Sequence, residues 1–366
     1  MGTYTTERII YIDTLRAFAL MGILFVHVAQ LYNFYNPAVD LGYYSSLDEH
    51  LRRGLLAVFE DRCQTIFCIL FGSSFYLIMR KQSYTTLKFC WRCVLLMGFG
   101  LINIEFYNSD FMLCYGLVGI ALALLPIRRM KTWMLFLLAG VLYGVQFVDA
   151  LDYTAQVFPE ANYLTRHTGD ISLAGYLEYP YWKSLTENLR MFVPDLFTTL
   201  SFFVFGYALG RSGALAVIGS PEVRGKRAVV CLLPTGVVCV ALRVVVDKVG
   251  VGALKPVSTL SEALLYSLLF IFICKHLPKR VAGALASYGR LGLTNYSVQN
   301  ICGPLAVIAI ALPLRAPFYA VFCGAVVFYI LQTVFAVVWL RKHKYGPWEW
   351  LWRWLTERCS SASSRS

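Results

Sequence analysis

Three ionisable residues in the first apolar stretch carry the strongest chemical signal of the chain, which there reads Tyr11-Ile-Asp13-Thr-Leu-Arg16-Ala-Phe-Ala-Leu-Met-Gly22-Ile-Leu-Phe-Val-His27. At about 100° per residue, Asp13, Arg16 and His27 fall within roughly 60° of one another on one helix face. His27 lies about 16 Å beyond Arg16 at a rise of about 1.5 Å per residue. Ionisable groups inside a bilayer are costly and turn toward a protein interior or a wet cavity. A neutral imidazole in such a place has the chemistry of a general base, since it titrates near working pH. A plainer role for His27 is a hydrogen bond to a neighbouring helix. For Asp13 and Arg16 the plainer role is an ion pair between residues three apart, near the headgroups.

Further polar marks interrupt later apolar runs. Asp61-Arg62-Cys63-Gln64 opens the second helix, and Gly72-Ser73-Ser74 breaks its surface in the way close helix packing requires. Asn103, Glu105 and Asp110 flank a tight turn between the third and fourth helices, and Asp195 after Pro194 reads as a helix cap. Thr294, Asn295 and Gln299 bring donors and acceptors into the ninth helix, most simply as glue between helices. Gly346-Pro-Trp-Glu349-Trp-Leu-Trp-Arg353 directly follows the last run, and its tryptophans fit a helix lying at the membrane interface. Glu349 and Arg353 are spaced to pair. Walker-type phosphate loops, HExxH motifs and GxSxG elbows are all missing, which argues against ATP-driven transport by this chain alone and against zinc proteolysis. No metal site is predicted.

The elements that must position these groups follow from composition. Of 366 residues, 58% are hydrophobic and only 15% charged, and the mean hydropathy is +0.59. Disorder, coiled coil and ordinary cytosolic enzyme are poor fits to those values. Apolar runs fall near 11–33, 55–79, 88–106, 110–126, 132–150, 191–210, 228–246, 258–274, 291–312 and 317–340. Each is long enough to approach or cross a hydrocarbon core of about 30 Å. The expectation is an all-α, polytopic transmembrane bundle of about ten spans, its first run retained rather than cleaved. It divides into a helical domain over 1–340, with an outer loop at about 151–190, and an interfacial C-terminal segment over 341–366.

Charge writes the orientation. Of the 33 Lys and Arg, 23 fall in the segments that alternation places on the side of the N-terminus, which predicts both termini in the cytoplasm. The net charge of +12 is therefore a topology signal and gives no reason to expect nucleic acid as a partner. Most of the eleven cysteines lie in or beside apolar runs, so no disulfide framework is implied.

Together these segments resemble a bacterial family of multi-pass membrane proteins, domain of unknown function 418, over nearly the whole chain. The resemblance rests on Asp13-x-x-Arg16-Ala-Phe-Ala-Leu-x-Gly22-Ile, Ile69-Leu-Phe-Gly72, Gly289-Arg-x-x-Leu-Thr294-Asn295-Tyr296 with Gln299, and Gly346-Pro-x-Glu349-Trp-Leu-Trp-Arg353. Asp110-x-x-x-x-Tyr115 is a weaker fifth element. That family looks like a distant relative of the acyltransferase-3 and heparan-glucosaminide N-acetyltransferase types of transmembrane acyltransferase. In acyltransferase-3 proteins an Arg is followed eleven positions later by a His associated with acyl transfer, a spacing that Arg16 and His27 reproduce. Members of the 418 family often have Asn at that position and His in the third helix, where this chain has His27 and Asn103.

The resemblance implies a transferase of the bacterial inner membrane. It would move an acyl group such as acetyl from cytoplasmic acyl-CoA to an envelope glycan or lipid acceptor on the outer side. His27 would be the base or acyl carrier, with Asp13 and Arg16 orienting the helix or binding donor. Arg16, Arg80, Lys81, Arg92 and Arg290 would attract the polyanionic CoA, although topology alone also places cations there. The acceptor would approach near Asp110 and the 151–190 loop. The alternatives are a proton- or solute-coupled carrier using Asp13, Arg16, His27 and Asp110, or a non-catalytic membrane partner of an envelope enzyme. A homodimer is compatible with each.

Overall fold

A computed structural model of the chain describes residues 3–35, 45–80, 84–107, 109–149, 183, 185–186, 188–189, 195–214, 226–249, 255–311 and 313–362. Among these residues the secondary structure is helical, with no strands. In chain order the helices are α1 (Thr3–Tyr35), α2 (Ser46–Phe59), α3 (Arg62–Met79), α4 (Thr86–Phe106), α5 (Met112–Leu124), α6 (Thr132–Asp149) and α7 (Leu196–Ser212). They continue as α8 (Lys226–Val249), α9 (Lys255–His276), α10 (Lys279–Arg290), α11 (Gly292–Ala306), α12 (Phe318–Trp339) and α13 (Pro347–Ala362). A helix lies at each of the ten apolar runs. Among the described residues five helical segments are long and apolar enough to cross a membrane: Ile10–Tyr32, Ser46–Met79, Thr86–Phe106, Val257–His276 and Phe318–Trp339.

Local chemistry places several boundaries. Ser45 and Asp48 form a reciprocal capping box at the start of α2, and the Thr85 hydroxyl accepts from Lys88 N at 3.2 Å to start α4. Gly213, in the left-handed region at φ 78°, ends α7. Two runs are divided where the sequence reads as continuous. The run at 55–79 breaks at Glu60–Asp61, so Leu55–Phe59 close the amphipathic α2 and the apolar α3 starts afresh at Arg62. The ninth run continues past Pro304 into a π-helical turn, Val307–Ala311.

Helix α1 is the central strut. In its apolar window 67% of residues are buried, against 17% for Phe318–Trp339, whose remaining faces are left for lipid. Ala17, Ala19, Leu20 and Ala29 are fully enclosed. Small residues set the closest approaches. A Cβ on Gly289 would run into the Asp13 carbonyl, so this glycine lets α10 lie against the ionisable face of α1. A Cβ on Gly72 would meet the Phe203 carbonyl, and one on Gly206 the Ile69 carbonyl, which seats α3 on α7. Ser73 Oγ donates across that contact to Gly206 O at 3.0 Å. The 72–74 stretch thus serves packing, as small residues between membrane helices generally do.

An ion pair that no local pattern announces ties α3 to α9. Arg62 Nε donates to Glu262 Oε2 at 2.6 Å with both side chains buried, and Ser258 Oγ and Arg243 Nη1 reach Oε1 at 3.1 and 3.3 Å. Glu262→Leu should destabilise the fold by about 3–5 kcal/mol, because it leaves the Arg62 charge buried without its partner. Glu262→Gln keeps an acceptor and should lose less. Thermal unfolding of the detergent-purified variants reads the difference, and equal midpoints for the two would show that the charge is immaterial.

Candidate functional site

His27 sits in the later half of α1, against the end of α4, the turn after it, and α11. Its Nδ1 lies 3.1 Å from Asn300 Oδ1. Asn300 Nδ2 in turn donates to Asp110 Oδ1 at 2.8 Å. An ionised Asp110 only accepts, so in that state the Asn300 amide turns its nitrogen to the carboxylate and its oxygen to the imidazole. In that state Nδ1 is the protonated nitrogen of His27, and Nε2 keeps the lone pair. An imidazole held in one tautomer by an oriented acceptor is what a general base or nucleophile requires.

Asp110 is itself held from several sides. Asn103 Nδ2 donates to Oδ1 at 3.3 Å, Met112 N donates to Oδ2 at 3.0 Å, and Asn188 Nδ2 donates to the Asp110 carbonyl at 2.8 Å. Asn103 thus supports the acid. Tyr107 and Tyr296 flank the imidazole, with ring centroids 4.4 and 6.1 Å away. Tyr107 Oη donates to Gln30 Oε1 at 3.0 Å.

This group faces a cavity of ≈ 250 Å³ lined by His27, Gln30, Glu60, Asp61, Tyr107 and Asp195, among others. Asp195 caps no helix with its side chain, which corrects the capping role expected of it. Its carboxylate instead belongs to the cavity wall, beside Asp61.

A second cavity, of ≈ 360 Å³, opens at the opposite end of the bundle. Arg16, Arg92, Arg290 and Arg353 line it together with apolar walls that include Phe71, Phe75, Phe89 and Leu96. Tyr115 and Tyr296 line both cavities and so form the wall between them. A cavity from the cytoplasmic face ending at His27 is the form expected of a donor site, and among the described residues no single cavity holds both His27 and the arginines. His27 lines one cavity and the arginines the other, on either side of the Tyr115–Tyr296 wall.

The remaining predicted residues divide accordingly. Arg16 Nη1 pairs with Asp13 Oδ1 at 2.5 Å, and Nη2 donates to Ser74 Oγ at 2.6 Å, so Asp13 and Arg16 form the expected local ion pair while Arg16 also reaches the cavity. Arg80 ends α3 exposed and away from both cavities, and Lys81 lies outside the described residues, as does most of the 151–190 loop. Asn300 is a site residue that sequence reasoning did not single out, whereas Tyr115, Tyr296 and Arg353 stood there only as parts of motifs or of an expected pair with Glu349. The partners of Asn300, His27 and Asp110, lie 273 and 190 residues earlier in the chain, and no spacing signals that.

The polar residues of the ninth run are mostly structural. Gln299 Nε2 donates to Tyr288 Oη at 2.6 Å and to Gln332 Oε1 at 3.0 Å, Gln332 Nε2 donates to Asn295 O at 3.1 Å, and Asn295 Nδ2 donates to Tyr288 O at 2.9 Å. Glu349 does not pair with Arg353. It accepts from Thr294 N at 3.0 Å and Thr294 Oγ1 at 2.6 Å, capping the start of α11, while Arg353 lies over the Tyr345 ring at 4.1 Å. Burial pushes the Glu349 carboxyl above the ordinary carboxylate range, and the Thr294 donors oppose that shift.

Residues 209–358 match the model of a family described as protein of unknown function (DUF418). An uncharacterized 39.9 kDa protein in the amylase 3′ region of Bacillus acidopullulyticus is 26% identical over 361 residues, spanning 96% of this chain and 94% of its own. The uncharacterized protein YeiB of Escherichia coli (strain K12) is 25% identical over 399 residues, spanning 97% of each chain. The uncharacterized protein YxaH of Bacillus subtilis (strain 168) is 25% identical over 390 residues, spanning 96% of this chain and 94% of its own. No solved structure matches the chain. The matched segment runs from the end of α7 into α13 and holds both the Gly289–Gln299 and the Gly346–Arg353 motifs.

Proposed function

We propose that this chain is a transmembrane acyltransferase of the bacterial inner membrane, taking its acyl group from cytoplasmic acyl-CoA. The observation that supports this most is the pair of cavities. One is lined by arginines and the other by an imidazole with an oriented lone pair, and they share a wall of two tyrosines. On this reading the helices cross the bilayer about ten times, with both termini in the cytoplasm. The Arg16 end then faces the donor, and the His27 end faces an envelope glycan or lipid acceptor. The apolar walls of the arginine-lined cavity suit the methylenes and geminal methyls of a pantetheine arm, whose thioester would arrive at Tyr115 and Tyr296.

His27 Nε2 takes the proton from the acceptor hydroxyl or amine as that oxygen or nitrogen attacks the thioester carbon. The carbon–sulfur bond breaks, and the CoA thiolate leaves with the proton returned by His27. The products are acylated acceptor and free CoA. Purified protein in nanodiscs, given radiolabelled acetyl-CoA and an envelope extract, should release CoA and label the extract. No release of CoA under these conditions counts against the enzyme.

Two cavities from opposite ends meeting at a thin wall also suit a carrier, and that observation favours a second reading. In it His27 and Asp110 pass protons or hold solute. Solute accumulation in sealed vesicles that is lost in His27→Ala, without any CoA release, selects the carrier.

A further inference from the structure

The arginine-lined cavity contains a charge without a counter-charge. Arg92 is 9% exposed, and a guanidinium stays ionised at any physiological pH. It lies over the Trp352 ring at 3.9 Å, and its Nη1 donates to Tyr84 Oη at 3.0 Å, but its Nε–H, buried, has no partner. Among the described residues no carboxylate lies at ion-pair distance from Arg92, Arg290 or Arg353, all of which line this cavity. The two acids nearby are already engaged. Asp13 is held by Arg16, and Glu349 by Thr294. A buried guanidinium in this condition calls for an anion.

We infer that Arg92 and Arg353 form a head-group site for a phosphate ester carrying an apolar arm. Helix α13 is then part of a binding site and more than an interfacial anchor. Two contacts support its role: Trp352 Nε1 donates to the Arg92 carbonyl at 2.8 Å, and the Trp352 ring covers the guanidinium. Phosphate suits the site because guanidinium N–H groups match its oxygens and bind them with charge-assisted hydrogen bonds. The arm must be apolar, since Phe71, Phe75, Phe89 and Leu96 offer hydrophobic wall and inorganic phosphate would leave it unfilled. CoA and an anionic phospholipid share this chemistry. Identifying the ligand as CoA rests on the acyl-transfer reading; the phosphate site does not.

Calorimetric titration of the full chain in neutral detergent with CoA, pantetheine and phosphatidylglycerol tests it. At least one phosphate-bearing probe should bind, pantetheine should not, and Arg92→Gln and Arg353→Gln should each weaken binding about tenfold or more. Arg353 is only half-buried, so its variant keeps the test decisive if Arg92→Gln fails to fold. Arg80→Gln, away from the cavity, should bind as wild type. Binding of phosphatidylglycerol without CoA supports the site and removes the donor reading. Unchanged affinity in Arg353→Gln, pantetheine binding equal to CoA, or no binding of either phosphate-bearing probe overturns the proposal. Labelled transfer remains a separate test of the enzyme in every case.

Discussion

His27→Ala is expected to lower acyl transfer roughly 10²- to 10⁴-fold, the range over which a positioned base accelerates proton transfer. CoA binding should stay at the wild-type level, because the arginine-lined cavity is at the other end of the bundle and does not include His27. The separation matters for interpretation. A fold defect would weaken both measurements together, whereas loss of the base moves only turnover. An acid-quenched single turnover with labelled acetyl-CoA carries the argument further. Label retained on wild-type protein and lost from His27→Ala assigns a covalent acyl-imidazole, while unlabelled protein with normal turnover assigns general-base catalysis. Wild-type turnover in the alanine variant would remove His27 from the chemistry altogether.

What could be read from sequence, and what could not, follows from the range of each interaction. Asp13, Arg16 and His27 were visible because helical periodicity alone puts them on one face, and the Asp13–Arg16 pair closes within a single turn. Gly72 and the polar residues of the ninth run were readable as packing devices for a similar reason: small and amide side chains in an apolar helix have few other uses. The relay behind His27 was hidden. Asn300 joins an imidazole 273 residues earlier to a carboxylate 190 residues earlier, and only the meeting of α1, α11 and the α4–α5 turn makes it an orienting group. The Arg62–Glu262 pair was hidden for the same reason, across 200 residues. Local rules misled where a tertiary demand overrode them. Asp195 has the position of a helix cap but turns to a cavity, and Glu349 and Arg353 have the spacing of an ion pair but bond to Thr294 and Tyr345. Arg80 and Arg92 are both cations near the same end of the bundle, yet only Arg92 lines the cavity.

Asp110→Asn should reduce turnover about as far as His27→Ala, by roughly 10²- to 10⁴-fold, although Asp110 makes no contact with the imidazole. The carboxylate obliges Asn300 to present Nδ2 to it and therefore Oδ1 to His27. An amide at position 110 can donate as well as accept, so Asn300 is free to turn and offer its Nδ2 to the imidazole. His27 Nδ1 then becomes the acceptor, its proton moves to Nε2, and the lone pair needed for proton transfer is lost. The side chain keeps its size and its acceptor for Met112 N, so the stability loss should be small and CoA binding unchanged. Asn300→Leu provides the complementary variant. It removes the orienting acceptor but also strips the buried Asp110 of a donor, so an equal loss of turnover should come with a stability loss of about 1–3 kcal/mol. Nitrogen-15 chemical shifts of histidine-labelled protein report the tautomer directly. A His27 proton that stays on Nδ1 in Asp110→Asn, with turnover within threefold of wild type, would reduce the Asp110–Asn300–His27 chain to a packing network, since only an orienting role links a remote carboxylate to the protonation of the base.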